Sequence, residues 1–296
     1  MIKIKIPAST ANLGSGFDSL GAALNLYNVV SAEEYDGCDI SSSDGSSVPN
    51  NEQNLIYRSA KELYEICGKP FYGLKIIETN NIPMARGLGS SSACIVGGLM
   101  AANALCKNPL TKDEMLDIAA KIEGHPDNVA PALLGGLTAS AMENEKVFYT
   151  KCELKDELKF CAFVPDFELK TADARAVLPK ETPLGDAVFN ISRAALLASS
   201  FALGKYENLQ IGTKDRLHQP FRLPLIPGSE YIINSSLENG ALASYISGAG
   251  STIMAIYNGS FEEAEKFARK ILSDKCPNWK VLVLEADNSG ADSFVD

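Results

Sequence analysis

The segment PMARGLGSSS, Pro83 to Ser92, runs straight into a small and apolar stretch, Ala93 to Leu105, which constrains the fold more than any other feature of the chain. Leu74 to Glu78 before it has the look of a strand, and Ala93 to Leu105 that of a buried helix, with Gly97 and Gly98 permitting close packing. The predicted unit is a strand, a glycine-rich loop and a helix whose first turn holds serines. Glycines let backbone N–H groups approach an anion, and a helix N-terminus adds orphan donors and a favourable dipole, so the unit suits a phosphate. No Lys closes the loop as in G-x-x-x-x-G-K-[ST], and G-x-G-x-x-G is not matched, so both familiar nucleotide motifs fail. On this segment alone, a Gly-Ser turn capping a packed helix outweighs the phosphate reading.

The 296 residues can bury a large core, as one big domain or two smaller ones. Ile2, Ile4 and Ile6 alternate with Lys3 and Lys5 as in a strand that ends at Pro7, and Ala8 to Gly21 follows as a small-residue loop. Helical spacing marks Asn54 to Cys67 and Asp186 to Leu203. Thr111 with Glu114 forms a capping box that opens a further helix, stopping near Gly124. Leu137 to Met142, Phe160 to Val164, Thr252 to Tyr257 and Val281 to Glu285 are expected strands. Thr171 to Val177 and Phe261 to Leu272 are expected helices, and Leu217 to Pro227 is expected to be irregular. The mixture favours α+β over a purely parallel sheet, with a boundary around residues 145 to 160.

Charge narrows the partners. The 27 Lys and Arg against 37 Asp and Glu leave a net charge of -10, which argues against nucleic acid and anionic membrane as broad partners. No stretch offers about 18 uninterrupted apolar residues for a membrane span. Seven widely spaced cysteines without a C-x-x-C pair read as reduced thiols of a cytoplasmic protein, neither a disulfide framework nor a zinc site.

Further constellations carry chemistry. Glu123-Gly124-His125-Pro126-Asp127-Asn128 gathers oxygen ligands of the kind that suit magnesium beside substrate phosphates. Taken singly, His125 is equally a capping residue, and Asp127 equally caps a helix beginning near Asn128. Asn12 and Asp18 project from the first loop, where the alternative is a turn network. Ser247-Gly248-Ala249-Gly250-Ser251 alone reads as a tight turn before a strand, and Arg175 and Arg222 singly as surface ion-pair partners.

Together, however, PASTANLGSGFDSLG (Pro7 to Gly21), PMARGLGSSSA (Pro83 to Ala93) and SGAGST (Ser247 to Thr252) resemble, in order and spacing, the three signature motifs of the galactokinase, homoserine kinase, mevalonate kinase and phosphomevalonate kinase superfamily. EGHPDNVAPALLGG from Glu123, TADAR from Thr171 and HQPFR from His218 resemble the homoserine kinases in particular, so that the resemblance covers essentially the whole chain. It implies an α+β two-lobe small-molecule kinase fold, with a ribosomal-protein-like N-terminal ATP-binding lobe over residues 1–155 and a ferredoxin-like C-terminal lobe over 156–296. It also implies transfer of phosphate from ATP to the hydroxyl of L-homoserine, on the threonine branch of amino-acid biosynthesis, and brings the expectation of a homodimer.

Under that resemblance the phosphate site is Pro83, Arg86, Gly87, Leu88, Gly89, Ser90, Ser91 and Ser92 with Gly248 and Gly250, and Mg2+ is held by Ser91 and Glu123. Homoserine is held by Asn12, Asp18, His125, Thr171, Arg175 and Arg222, the acids facing its ammonium and the arginines its carboxylate. Asn128, near the reacting hydroxyl, and Arg175 are the implied catalytic residues. An amide cannot abstract a proton, so Asn128 implies catalysis by positioning and electrostatics. Ser251 stands where many relatives have Pro, which is expected to loosen that loop slightly. The competing readings are a kinase for another small alcohol, such as mevalonate or a sugar, and a non-catalytic metabolite-binding protein of the same fold.

Overall fold

A computed structural model describes residues 1–295. Its first sheet contains β1 (Ile2–Ala11), β2 (Leu20–Glu34), β3 (Gly37–Ser42), β4 (Gly73–Thr79), β5 (Leu137–Glu143) and β6 (Lys146–Cys152). The second contains β7 (Leu158–Val164), β8 (Ala243–Ile246), β9 (Ile253–Asn258) and β10 (Lys280–Leu284), while β11 (Asp292–Val295) returns to the first. The helices are α1 (Leu55–Ile66), α2 (Ser90–Leu105), α3 (Lys112–Glu123), α4 (Pro126–Leu134), α5 (Thr171–Ala176), α6 (Leu184–Leu203), α7 (Leu209–Gly212), α8 (Gln219–Arg222), α9 (Ser229–Glu238) and α10 (Phe261–Lys275). Among the described residues no helix is long and apolar enough to cross a membrane.

The first sheet has the order β11-β1-β2-β4-β3, with β5 and β6 added to the far end of β2. The long strand β2 is shared: Leu20 to Ala22 pair with β5, whereas Val29 to Glu34 pair with β4. Pairing of β3 with β4 is parallel, so α1 serves as the crossover that parallel neighbours require. Asn54 caps α1 by accepting from the amides of Ile56 and Tyr57. The second sheet is antiparallel in the order β10-β7-β9-β8. Its chain order of strand, helices, two strands, helix and strand is the ferredoxin-like arrangement, in an α+β protein as expected.

Helix α2 is apolar nearly all round, and it is buried nearly all round. Gly97 lies against Ile6 and Val30 of the sheet, and a Cβ on Gly98 would stand 2.3 Å from the carbonyl oxygen of Ile56 in α1. These two glycines let α2 sink between sheet and helix, which brings its N-terminus to the loops joining β1 to β2 and β8 to β9.

Several local expectations are corrected. Pro7 does not end β1, because it sits at a register shift against β2, where a missing N–H disturbs the ladder least. The strand continues to Ala11, and the first loop shrinks to residues 12–19. Leu217 to Pro227 holds the single turn α8 and a short 3-10 turn, and β8 was too short to show a period. The C-terminal lobe expected over 156–296 does not hold β11, whose pairing with β1 places it in the first sheet and covers what would otherwise be an open sheet edge.

Candidate active site

Three loops meet where the two sheets adjoin. The Ser9 amide donates to the Leu88 carbonyl, the Gly248 amide to Ala11 and the Thr252 amide to Arg86, so all three glycine-rich segments are stitched backbone to backbone. Ser247 Oγ adds bonds to the Gly87 carbonyl (2.7 Å) and to Thr10 Oγ1 (2.9 Å). Only glycine fits at Gly87 and Gly89: both have left-handed φ, and a Cβ would stand 2.2 Å from the Ser247 carbonyl and 2.0 Å from Ser9 Oγ, respectively.

These loops enclose a cleft of about 280 Å³. On one wall are Arg86, Gly87 and Gly89 with Ser90, Ser91 and Ser92 of the first turn of α2, faced by Gly248 and Gly250. Ser91 Oγ and Ser92 Oγ donate to the two oxygens of Glu123 at 3.0 and 3.2 Å. This hydroxyl and carboxylate pair beside a helix N-terminus is the hard-oxygen donor set that Mg2+ prefers. Asp18, His125 and Asp127 also place ligand atoms within 4.8 Å of one another, but Asp18 is engaged by Arg175 and Asp127 by His125. The Glu123 oxygens have only neutral hydroxyls beside them, so Glu123 with Ser91 fits a cation where Asp18, already paired with a guanidinium, does not.

The other wall carries Asn12, Asp18, His125, Asn128, Thr171, Arg175 and Arg222. Asp18 and Arg175 form a two-pronged ion pair, 2.7 and 3.1 Å. Asp127 is buried inside the first turn of α4, whose N-cap position is taken by His125, so the capping alternative for Asp127 falls. His125 Nδ1 lies 2.6 Å from Asp127 Oδ1. Burial pulls that imidazole down, yet the hydrogen bond and charge of Asp127 prevail and its pKa lies above the ordinary value. Asn128 accepts from Ser9 Oγ at 2.9 Å, and its Nδ2 lies 3.3 Å from Asp127 Oδ1.

Arg222 is 1% exposed. Its Nε donates to the Ala174 carbonyl and its Nη1 faces His218 Nδ1 and the Gly248 carbonyl, and among the described residues no carboxylate forms an ion pair with it. Burial, reinforced by the charge of Arg175, brings its pKa down to about 10.

Not every expected residue faces the cleft. Pro83 and Leu88 are absent from its lining, and Leu88 is a fully buried core side chain that offers its carbonyl to Ser9. The Arg86 guanidinium is committed to the carbonyls of Met84, Pro165 and Asp166 and to Glu168, tying the glycine loop to the segment after β7. Asn12 braces two loops, donating to the Gly248 carbonyl at 2.7 Å and accepting from the Asp18 amide at 2.9 Å. Ser251, at the position expected to loosen its loop, is buried and its hydroxyl donates to the Phe167 carbonyl at 3.0 Å.

Sequence reasoning missed Ser9, Lys170 and His218. Ser9 hid within an expected loop, and Lys170, which lines the cleft just before α5, looks like any surface lysine. Phe17 also gains a role beyond its place in a motif: it stacks on His218 at 5.0 Å and lies beneath the guanidinium groups of Arg175 and Arg222, at 5.6 and 5.2 Å.

Known proteins resemble this chain along nearly its whole length. The family model for the N-terminal domain of GHMP kinases matches residues 54–136, and that for their C-terminal domain matches residues 194–278. A homoserine kinase of Caldicellulosiruptor bescii is 49% identical over 99% of this chain and 97% of its own. One from Clostridium beijerinckii is 47% identical over 98% of each. The crystal structure of homoserine kinase from Cytophaga hutchinsonii superposes with a TM-score of 0.88 at 29% identity, covering 99% of this chain and 97% of the other. A mevalonate kinase shares the fold alone, at 16% identity and a TM-score of 0.70 over 97% of this chain and 99% of that one. With relatives this similar along nearly its whole length and both domain models matched in order, the chain belongs to the GHMP kinase family.

Proposed function

We propose that the chain is an ATP-dependent homoserine kinase, transferring the γ-phosphoryl group of ATP to the hydroxyl of L-homoserine and releasing O-phospho-L-homoserine, ADP and a proton. The observation that carries this reading is Arg222. A buried guanidinium without a carboxylate partner is a strong draw for one from a ligand, and it shares the cleft with Asp18 and with a helix N-terminus open to phosphate. A mevalonate or sugar acceptor would leave Asp18 without an ammonium to meet.

In this reading the amides around Gly87 to Ser92 and the dipole of α2 hold the ATP phosphates. Arg222 and Arg175 hold the homoserine carboxylate, Asp18 and the buried Asp127 supply negative charge for its ammonium, and Asn128, braced by Ser9, orients the hydroxyl. Mg2+, held by Glu123 and Ser91, neutralises phosphate charge when bound. No residue beside the hydroxyl need take its proton: Asn128 cannot, and the proton passes to phosphate as the P–O bond forms. Rate then comes from in-line positioning and fixed electrostatics. The same reading puts the enzyme in the cytoplasm, where seven thiols stay reduced.

The test is a coupled ADP-release assay with Mg2+ and ATP, offering L-homoserine, mevalonate, galactose, L-serine and L-threonine in turn and weighing the product by mass spectrometry. Homoserine-dependent turnover to the O-phosphate is the expected result. Turnover with mevalonate or galactose in its place would overturn the reading.

A further inference from the structure

The two polar neighbours of the His218 ring leave one arrangement of its protons. Nε2 lies 2.7 Å from the Gly14 carbonyl oxygen, which can only accept, so the N–H is on Nε2. Nδ1 lies 3.3 Å from Arg222 Nη1, which can only donate, so Nδ1 presents its lone pair. A doubly protonated ring would set two donors against each other inside a buried site. Burial presses the same way, holding the His218 pKa below the ordinary imidazole value although the Asp215 carboxylate opposes it. That carboxylate lies 3.7 Å from Nε2. Its oxygens are already taken by the amides of Leu217, His218 and Gln219 and by the side chain of Asn190. The remaining charged groups nearby are Arg222, which disfavours a second proton, and Asp18, which favours one. Phe17, stacked at 5.0 Å with 20° between the planes, fixes the orientation of the ring.

On the guanidinium of Arg222, Nε is taken by Ala174 and Nη1 by His218 and Gly248, so among the described residues Nη2 donates to no protein acceptor. We infer that His218 is a positioning residue for substrate selection: a neutral imidazole, protonated on Nε2, whose Nδ1 lone pair turns Arg222 so that its unused donors meet the substrate carboxylate. The inference rests on the proposed kinase reading, in which Arg222 takes that carboxylate. His218 itself touches neither substrate nor phosphate. Its effect should therefore depend on whether the acceptor carries a carboxylate, which a merely structural histidine would not.

Two variants separate the two sides of the ring. His218→Asn keeps an acceptor near the Nδ1 position and gives up the Gly14 bond, whereas His218→Gln keeps a donor near Nε2 and gives up the acceptor for Arg222. Each is compared with L-homoserine and with the corresponding aminopropanol, which is homoserine without its carboxylate, as substrate or as competitive inhibitor. His218→Gln is expected to raise the homoserine KM about tenfold or more, the scale of one hydrogen bond to a charged group, with the KM for ATP unchanged. Its effect on the aminopropanol should be within about twofold, and His218→Asn should keep most of the homoserine affinity. Equal losses for both ligands, or a worse homoserine KM for His218→Asn than for His218→Gln, would overturn the inference.

A second measurement needs no activity. The chain has two histidines, so the imidazole ¹⁵N signals of His218 are those lost in His218→Gln. They are expected to report a protonated Nε2 and a bare Nδ1 at neutral pH. The opposite tautomer, or a doubly protonated ring at neutral pH, would overturn the inference. Absence of homoserine turnover by the unsubstituted protein would instead count against the kinase reading and leave the ¹⁵N result standing by itself.

Discussion

Arg175 of α5 donates to both carboxylate oxygens of Asp18, in the loop between β1 and β2. The two side chains are 38% and 34% exposed, so the pair adds little to stability, and its importance is as a clasp over the acceptor site. A zwitterionic amino acid can replace each partner for the other: its ammonium meets Asp18 as its carboxylate meets Arg175. Lysine in place of Arg175 keeps the charge and loses the fork. Arg175→Lys is expected to raise the homoserine KM by about tenfold and leave the ATP KM near its original value, as steady-state kinetics with each substrate varied would reveal. A change confined to the ATP KM would place Arg175 on the nucleotide side instead.

Restoring a carboxylate at position 128 should not help. Asn128 Nδ2 lies 3.3 Å from Asp127 Oδ1, and Ser9 already donates to Asn128 Oδ1. Asn128→Asp sets two buried carboxylates side by side, which raises the pKa of one of them and turns an attraction into a repulsion. Turnover is expected to fall at neutral pH. A large gain in kcat with homoserine binding intact would show that a base was what the site lacked.

Glu123→Gln keeps acceptor and shape but removes the charge that Ser91 and Ser92 now hold in place. The Mg2+ concentration for half-maximal rate should rise about ten- to a hundredfold, with homoserine affinity little changed. Titrating Mg2+ at fixed ATP measures this directly. An unaltered metal requirement would move the ligand role elsewhere.

A methyl group on Gly89 has nowhere to go. Its φ is +74° and a Cβ would stand 2.0 Å from Ser9 Oγ, the hydroxyl that braces Asn128. Gly89→Ala is expected to cost about 1–3 kcal/mol of stability from the left-handed backbone alone. It should also lower kcat, because the Ser9 brace must shift. Thermal unfolding and kinetics together check both halves; a variant as stable and as active as the parent would refute the close approach.

The His125–Asp127 contact gives stability a pH signature. The His125 pKa is raised in the folded protein, since the hydrogen bond and charge of Asp127 outweigh burial. A raised pKa means stabilisation that is fully present below the ordinary imidazole value, near 6.5, and lost as pH climbs through the folded value. His125→Gln should therefore lower the melting temperature more at about pH 5.5 than at about pH 8.5. Equal losses at both would mean that neutral imidazole makes the contact.

Much of this was legible in the residues. Thr111 caps its helix with the box that Glu114 completes, as expected, and the glycine loop opens α2 at its serines. The expectations that failed did so where partners distant in sequence decide. Pro7 lies within a strand only because β2 shifts register beside it. Arg86 lines the cleft, and nothing in its local sequence shows that carbonyls some eighty positions along the chain also tie its guanidinium.

By itself, then, the sequence determined the local elements and the glycine positions, since capping, periodicity and φ preference act over a few residues. It also determined the family, because three motifs in order are far more specific than any one of them. Only the tertiary structure decided which charges would stand alone. Asp18 and Arg175 became partners, Asp127 took His125, and Arg222 was buried with carbonyls and a neutral imidazole in place of a counter-ion. Pairing and desolvation are set by distances between residues far apart in the chain, and those distances exist only once the two sheets close on the cleft.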